Sequence, residues 1–200
     1  MNKLKRILVN VIVFLVLGIA LGAVAKYLDT MERFDGGWQK NILPHLGDLF
    51  SRLGVWIFIA TIIAAYSKTR ITAALNTFMF FIGMLVSYYI YSAYLFGFFP
   101  TSYFVGWIFI ALFSPLLAVL VWEGKNNISL SWILPALPIG LLLSLSLGIG
   151  LFYLRLHYLE ELIMCFGLCL VFYRSIKQMP GVIIITFVVA FIAKQVNPFI

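Results

Sequence analysis

Residues 71–122 hold two apolar runs, 71–94 and 103–122, parted only by Leu95-Phe-Gly-Phe-Phe-Pro-Thr-Ser102. A helix needs about 20 residues to cross the hydrocarbon core of a bilayer, and each run supplies that length. Lys68 and Arg70 precede the pair and Lys125 follows it, while the short turn between the runs is rich in aromatic rings. Basic residues favour the cytoplasmic side, and amphipathic rings collect at the headgroups. The segment therefore reads as a transmembrane helical hairpin with its base inside and its turn outside.

The remainder repeats that pattern. Of 200 residues, 64% are hydrophobic and 10% charged, whereas a soluble domain carries roughly 25% charged residues. The expectation is an all-α, polytopic membrane helix bundle with about seven spans in a single domain. The spans fall near 7–28, 49–67, 71–94, 103–122, 128–152, 157–173 and 181–198, with an external loop at 29–48. The first run follows Lys3, Lys5 and Arg6 as a signal peptide would, but it exceeds the length of about 7–15 residues of such a core and is read as a retained helix. In the loop, Ile42, Leu43, Leu46, Leu49 and Phe50 recur at helical spacing and suggest a short interfacial helix. Ser114-Pro115 predicts a kink in the fourth span, because proline lacks the amide that would close the helical bond.

Charge placement gives the orientation. With the N-terminus inside, Lys3, Lys5, Arg6, Lys68, Arg70, Lys125, Arg174 and Lys177 are cytoplasmic, against Glu123 as the one inner acid. Six basic residues, Lys26 among them, and six acids remain outside, where they balance. This asymmetry fits an N-in, C-out protein with an odd number of spans. A formal charge of +7 placed at helix ends orients helices and does not point to nucleic acid. Cys165 and Cys169 share one helix and read as small buried hydrophobes.

Three groups of residues are candidates for function. At the outer face, His157, Glu160 and Glu161 lie at i, i+3 and i+4, and His45 and Asp48 are three apart in the first loop. Imidazole and carboxylate together suit a divalent cation such as Zn or Mn. The plainer account is acids complementing the N-terminal dipole of the sixth span, a contribution of about 0.3–1 kcal/mol each. In the third span, Tyr88 and Tyr91 with the deeper Asn76 are candidates for a pocket taking a small apolar or aromatic solute. Tyrosines at a membrane interface also serve as an aromatic belt. Finally, Gly18 and Gly22, and then Gly140, Ser144 and Gly148, recur every four residues, which lets helix backbones approach closely. No catalytic residue and no cofactor is expected. There is no G-x-S-x-G elbow, no phosphate-binding glycine loop and no C-x-x-C motif. Glu160-Glu161 resembles the glutamate pair of CAAX-type intramembrane proteases, but the chain continues Leu-Ile-Met-Cys without that family's arginine.

Gly54-Val-Trp-Ile-Phe-Ile-Ala, Tyr66-Ser-Lys-Thr, Phe81-Ile-Gly-Met, Ser87-Tyr-Tyr and Phe99-Pro-Thr-Ser-Tyr103 together resemble a small bacterial multi-pass membrane-protein family of unknown function. That resemblance implies an all-α multi-pass fold in the bacterial plasma membrane and brings no functional residue. The expected function is a non-enzymatic membrane module that binds or helps transport a small solute. The alternative is an accessory or assembly subunit whose glycine stripes contact another membrane protein. A membrane enzyme and an outer-face metal-binding protein rank below both.

Overall fold

The computed structural model describes residues 3–31, 39–97, 101–149 and 154–196. Among them the chain forms eight helices: α1 (Lys3–Met31), α2 (Gln39–Ser51), α3 (Leu53–Ala65), α4 (Arg70–Phe96), α5 (Thr101–Asn126), α6 (Ala136–Ser146), α7 (Leu159–Phe172) and α8 (Gln178–Val196). A 3-10 turn, Leu130–Trp132, precedes α6, and a two-stranded ribbon, β1 (Leu147–Ile149) with β2 (Leu154–Leu156), follows it. The aromatic turn at 98–100, the Gly36-Gly37 stretch with Glu32 and Asp35, and residues 197–200 lie outside the described residues.

Among the described residues four segments are long and apolar enough to cross a membrane: Ile7–Thr30, Arg70–Phe96, Tyr103–Asn126 and Gln178–Val196. There are five if α2 and α3, which meet at Arg52, form one interrupted span. The helix expected at 41–50 is present as α2. The chain divides into two compact units, Met1–Arg52 with Ser67–Val119, and Leu53–Tyr66 with Leu120–Ile200.

In the first unit α1 packs along α4. A Cβ added to Gly18 would stand 2.1 Å from the Phe80 carbonyl oxygen, and one on Gly22 would stand 2.4 Å from that of Met84. From the other side, a Cβ on Gly83 would stand 2.4 Å from the Leu15 carbonyl oxygen. Only glycine permits this approach. The contacts advance together along both helices, so α1 and α4 run parallel. Thr69 opens α4 with a reciprocal cap. Its hydroxyl accepts from the Thr72 amide at 3.2 Å, and the Thr69 amide donates to the Thr72 hydroxyl at 2.9 Å. Gly97, with φ 69°, ends α4 in the left-handed conformation that only glycine adopts without strain. α5 runs unbroken through Pro115. Proline leaves the carbonyl four residues earlier without a donor, and the buried Ser114 hydroxyl donates to that same Ala111 oxygen at 2.8 Å.

In the second unit α3 and α7 run parallel. A Cβ on Gly54 would meet Glu161 Cγ at 2.6 Å, and one on Gly167 would meet the Phe58 ring at 3.2 Å. α6 and α8 also run parallel. The Gln178 amide donates to the Ser131 carbonyl near their starts, and Gly140 sits against Val189 and Thr186 further along. α7 is antiparallel to α6: Cys165 Sγ lies 3.8 Å from the Ile139 carbonyl oxygen, and the Ser146 carbonyl accepts from the His157 amide at 2.8 Å.

Here the sequence expectation needs correcting. Residues 128–152 do not form one helix. Pro135 and Pro138 remove two amides from the start, so the helical part shrinks to the eleven residues of α6, about 16 Å. The chain then turns extended at Leu147, and Leu147, Gly148 and Ile149 pair with Leu156, Arg155 and Leu154.

Candidate functional site

The most unusual chemistry in the first unit is a buried lysine. Lys26, four residues before the end of the apolar segment of α1, is only 6% exposed. A bare ammonium there would be costly, because burial strips its hydration. Its surroundings supply substitutes. Nζ lies 2.6 Å from Asp29 Oδ2, one helical turn on. It also sits 5.0 Å from the centre of the Tyr88 ring and 4.8 Å from that of Phe96. The Tyr88 hydroxyl donates to the same Asp29 oxygen at 3.2 Å. Tyr88 and Phe96, eight apart on α4, share one face of that helix, and Gly97 stops it one residue later. One carboxylate and two ring faces thus frame one ammonium, and ring faces attract cations by about 0.5–2 kcal/mol each, least where the ring is exposed as Phe96 is. Tyr89, next in the chain, is buried against Phe104 at 4.9 Å between ring centres.

Tyr88, a pocket candidate by sequence, stands beside Asp29 and Lys26, neighbours that the sequence alone does not pair with it. Tyr91 is half-buried on α4, whereas Tyr94 is largely exposed. Asn76 lies twelve residues before Tyr88 on one continuous helix, about 18 Å away, so the two do not share a pocket. Asn76 is 1% exposed, and its Nδ2 donates to Ser67 Oγ at 3.1 Å, tying α4 to the turn before it. By sequence Lys26 counts only among the outer charges. The signal available was its i, i+3 spacing from Asp29.

The acids and histidines that the sequence reading assigns to the outer face divide by environment. His45 and Asp48 are exposed on α2, and Asp48 Oδ2 lies 3.4 Å from Arg52 Nε. In the second unit His157 is exposed beyond β2, Glu160 is intermediate, and Glu161 is only 1% exposed. The space for the Glu161 side chain exists because Gly54 has none: a Cβ there would lie 3.0 Å from Oε1. Among the described residues no three His, Cys, Asp or Glu side chains come together as a metal ion would need.

The small residues are engaged within the chain. Gly18 and Gly22 receive α4, and Gly140 receives Val189. Ser144 is buried, with its hydroxyl donating to the Leu141 carbonyl at 2.7 Å. Gly148 is not on the helix at all. It lies in β1, where an added Cβ would stand 3.3 Å from the His157 ring.

These features define an all-α protein with, among the described residues, four or five helices long and apolar enough to span a membrane and a buried charged cluster at one end of a parallel helix pair. No family model, no curated protein and no solved structure matches the chain.

Proposed function

We propose that the chain is a seven-span, N-in and C-out module of the bacterial plasma membrane that binds a small solute near its outer face and serves transport without catalysis. Helix directions support the span count. If spans alternate through α1, α2–α3, α4, α5, α6, α7 and α8, then α1 and α4 must be parallel, as must α3 and α7, and α6 and α8. Adjacent spans such as α6 and α7 must be antiparallel. The contacts at Gly18, Gly22, Gly54, Gly140 and Gly167, with the Cys165 contact, agree with each of these requirements. The parallel α1–α4 pair also requires the chain to return between them, which favours α2–α3 as an interrupted span. The segregation of basic residues supports the orientation.

The observation that carries the binding reading is Lys26. An ionisable group buried in a membrane helix is costly and is kept where it has work to do. This one stands near the outer end of its span, within an aromatic frame. The accessory-subunit alternative drew on the glycine stripes, and Gly18, Gly22 and Gly140 are engaged against helices of the same chain. Mass spectrometry of small molecules released from purified protein is the test. A species enriched with the wild type and lost from Tyr88→Leu is expected. Equal recovery from both, or none from either, would remove the reading.

A further inference from the structure

We propose that the Lys26 frame is an outward-facing site for organic ammonium ions, with Lys26 as its tethered resident cation. The inference rests on the solute-binding reading and names the class of solute. The parts of the frame that reach the molecular surface are those that attract a cation. The Asp29 side chain is 31% exposed and Phe96 is also exposed, whereas the Lys26 side chain is 7% exposed and sits behind them. Asp29 Oδ2 accepts from both Lys26 and Tyr88, which fixes the carboxylate against the ring that forms one wall. A carboxylate beside two ring faces recognises primary and quaternary ammonium groups alike, since the ring quadrupole responds to charge. Exchange keeps the frame neutral. A ligand's ammonium replaces that of Lys26, and the lysine's long apolar stem lets its own ammonium swing toward the headgroup layer, about 6 Å along the axis at the end of the span. The resident lysine thus acts as an internal competitor. A frame that lysine leaves open only about one-tenth to one-hundredth of the time weakens a ligand about 10- to 100-fold.

Two measurements on detergent-purified full-length protein test this, with choline and benzoate as probes. By calorimetry, Lys26→Met should bind choline about 10- to 100-fold more tightly than the wild type, because the competitor is gone. Asp29→Asn and Tyr88→Leu should lose choline binding, and Tyr88→Phe, which keeps the ring, should retain it. In the wild type, choline should raise acylation of Lys26 by an amine-directed reagent, read by peptide mass spectrometry. This arm holds even if Lys26→Met fails to fold. Choline binding no tighter in a folded Lys26→Met, or Lys26 labelling unchanged by choline, would overturn the proposal. Benzoate bound by the wild type and lost in Lys26→Met would overturn the cation class while leaving a solute site in place. Loss of binding to both probes, with no small molecule released from the purified protein, would remove both readings.

Discussion

Lys125 and Arg174 each cap the helix that the other belongs to or follows. Lys125, in the last turn of α5, donates from Nζ to the Val171 carbonyl in the last turn of α7. Arg174, just beyond α7, donates from Nη2 to the carbonyl of Lys125 itself. The last carbonyls of a helix have no internal partners and carry its negative pole, so a cation there serves as both donor and counter-charge. Lys125 also lies over the Tyr66 ring, 5.6 Å from its centre.

Because the two caps join the same pair of helix ends, their losses should couple. Lys125→Met and Arg174→Ala should each cost about 0.5–2 kcal/mol, from the range for charged groups at helix C-termini. The double variant should lose less than the sum, since either change already loosens the shared junction. Thermal unfolding of the four proteins in one detergent gives the cycle, and strict additivity would show that the two caps act independently.

The Ser114 hydroxyl takes over the hydrogen bond that Pro115 cannot make. Ser114→Ala should therefore strand the Ala111 carbonyl inside an apolar helix, at a cost of about 1–3 kcal/mol. Replacing Pro115 by alanine in the same chain restores a backbone amide for that carbonyl. The double variant should recover most of the stability lost by Ser114→Ala alone. Melting temperatures of the single and double variants decide it; no recovery would mean that the hydroxyl is not compensating for the proline.

How much of this was legible depended on how local each feature is. The α4–α5 hairpin was readable because apolar length and flanking charge lie in one continuous stretch, and the runs 71–94 and 103–122 lie within α4 and α5. Across residues 128–152 total apolarity outweighs two local signals, Pro135 just before α6 and Gly148 in the extended stretch just after it. Burial of Glu161 depends on Gly54, far away in the chain, and no pattern around Glu161 announces it. Half of the Lys26 site was local, in its spacing from Asp29. The other half, Tyr88 and Phe96, arrives only through the parallel packing of α1 on α4.

That packing predicts a contrast between two glycines. Gly18→Ala would drive a methyl group into the Phe80 carbonyl, while a Cβ at Gly106 meets nothing within 4 Å. The first should destabilise by about 1–3 kcal/mol, as overpacking does. Gly106→Ala should be neutral or stabilise α5 by up to about 1 kcal/mol, through helix propensity. Unfolding in detergent compares them directly, and equal behaviour would contradict the close approach at Gly18.

Gln178 offers the sharpest test of the second unit. It is only 2% exposed, and both ends of its amide are committed. Nε2 donates to the Ser131 carbonyl of the 3-10 turn, and Oε1 accepts from the Arg174 amide at 3.2 Å. The side chain thereby joins the start of α8 to the approach to α6 and to the turn that leaves α7. Gln178→Leu keeps the bulk but leaves one buried acceptor and one donor unpaired, a loss of about 2–6 kcal/mol at roughly 1–3 kcal/mol per stranded group. Gln178→Glu retains the acceptor for Arg174 but turns a carboxylate oxygen toward the Ser131 carbonyl, setting two acceptors face to face. It should therefore destabilise at neutral pH as well, despite its nearly identical shape. The N-terminal dipole of α8 offsets only about 0.3–1 kcal/mol of that penalty. If melting curves found Gln178→Glu as stable as the wild type, the donor bond to Ser131 would not be what holds α8 to the 3-10 turn.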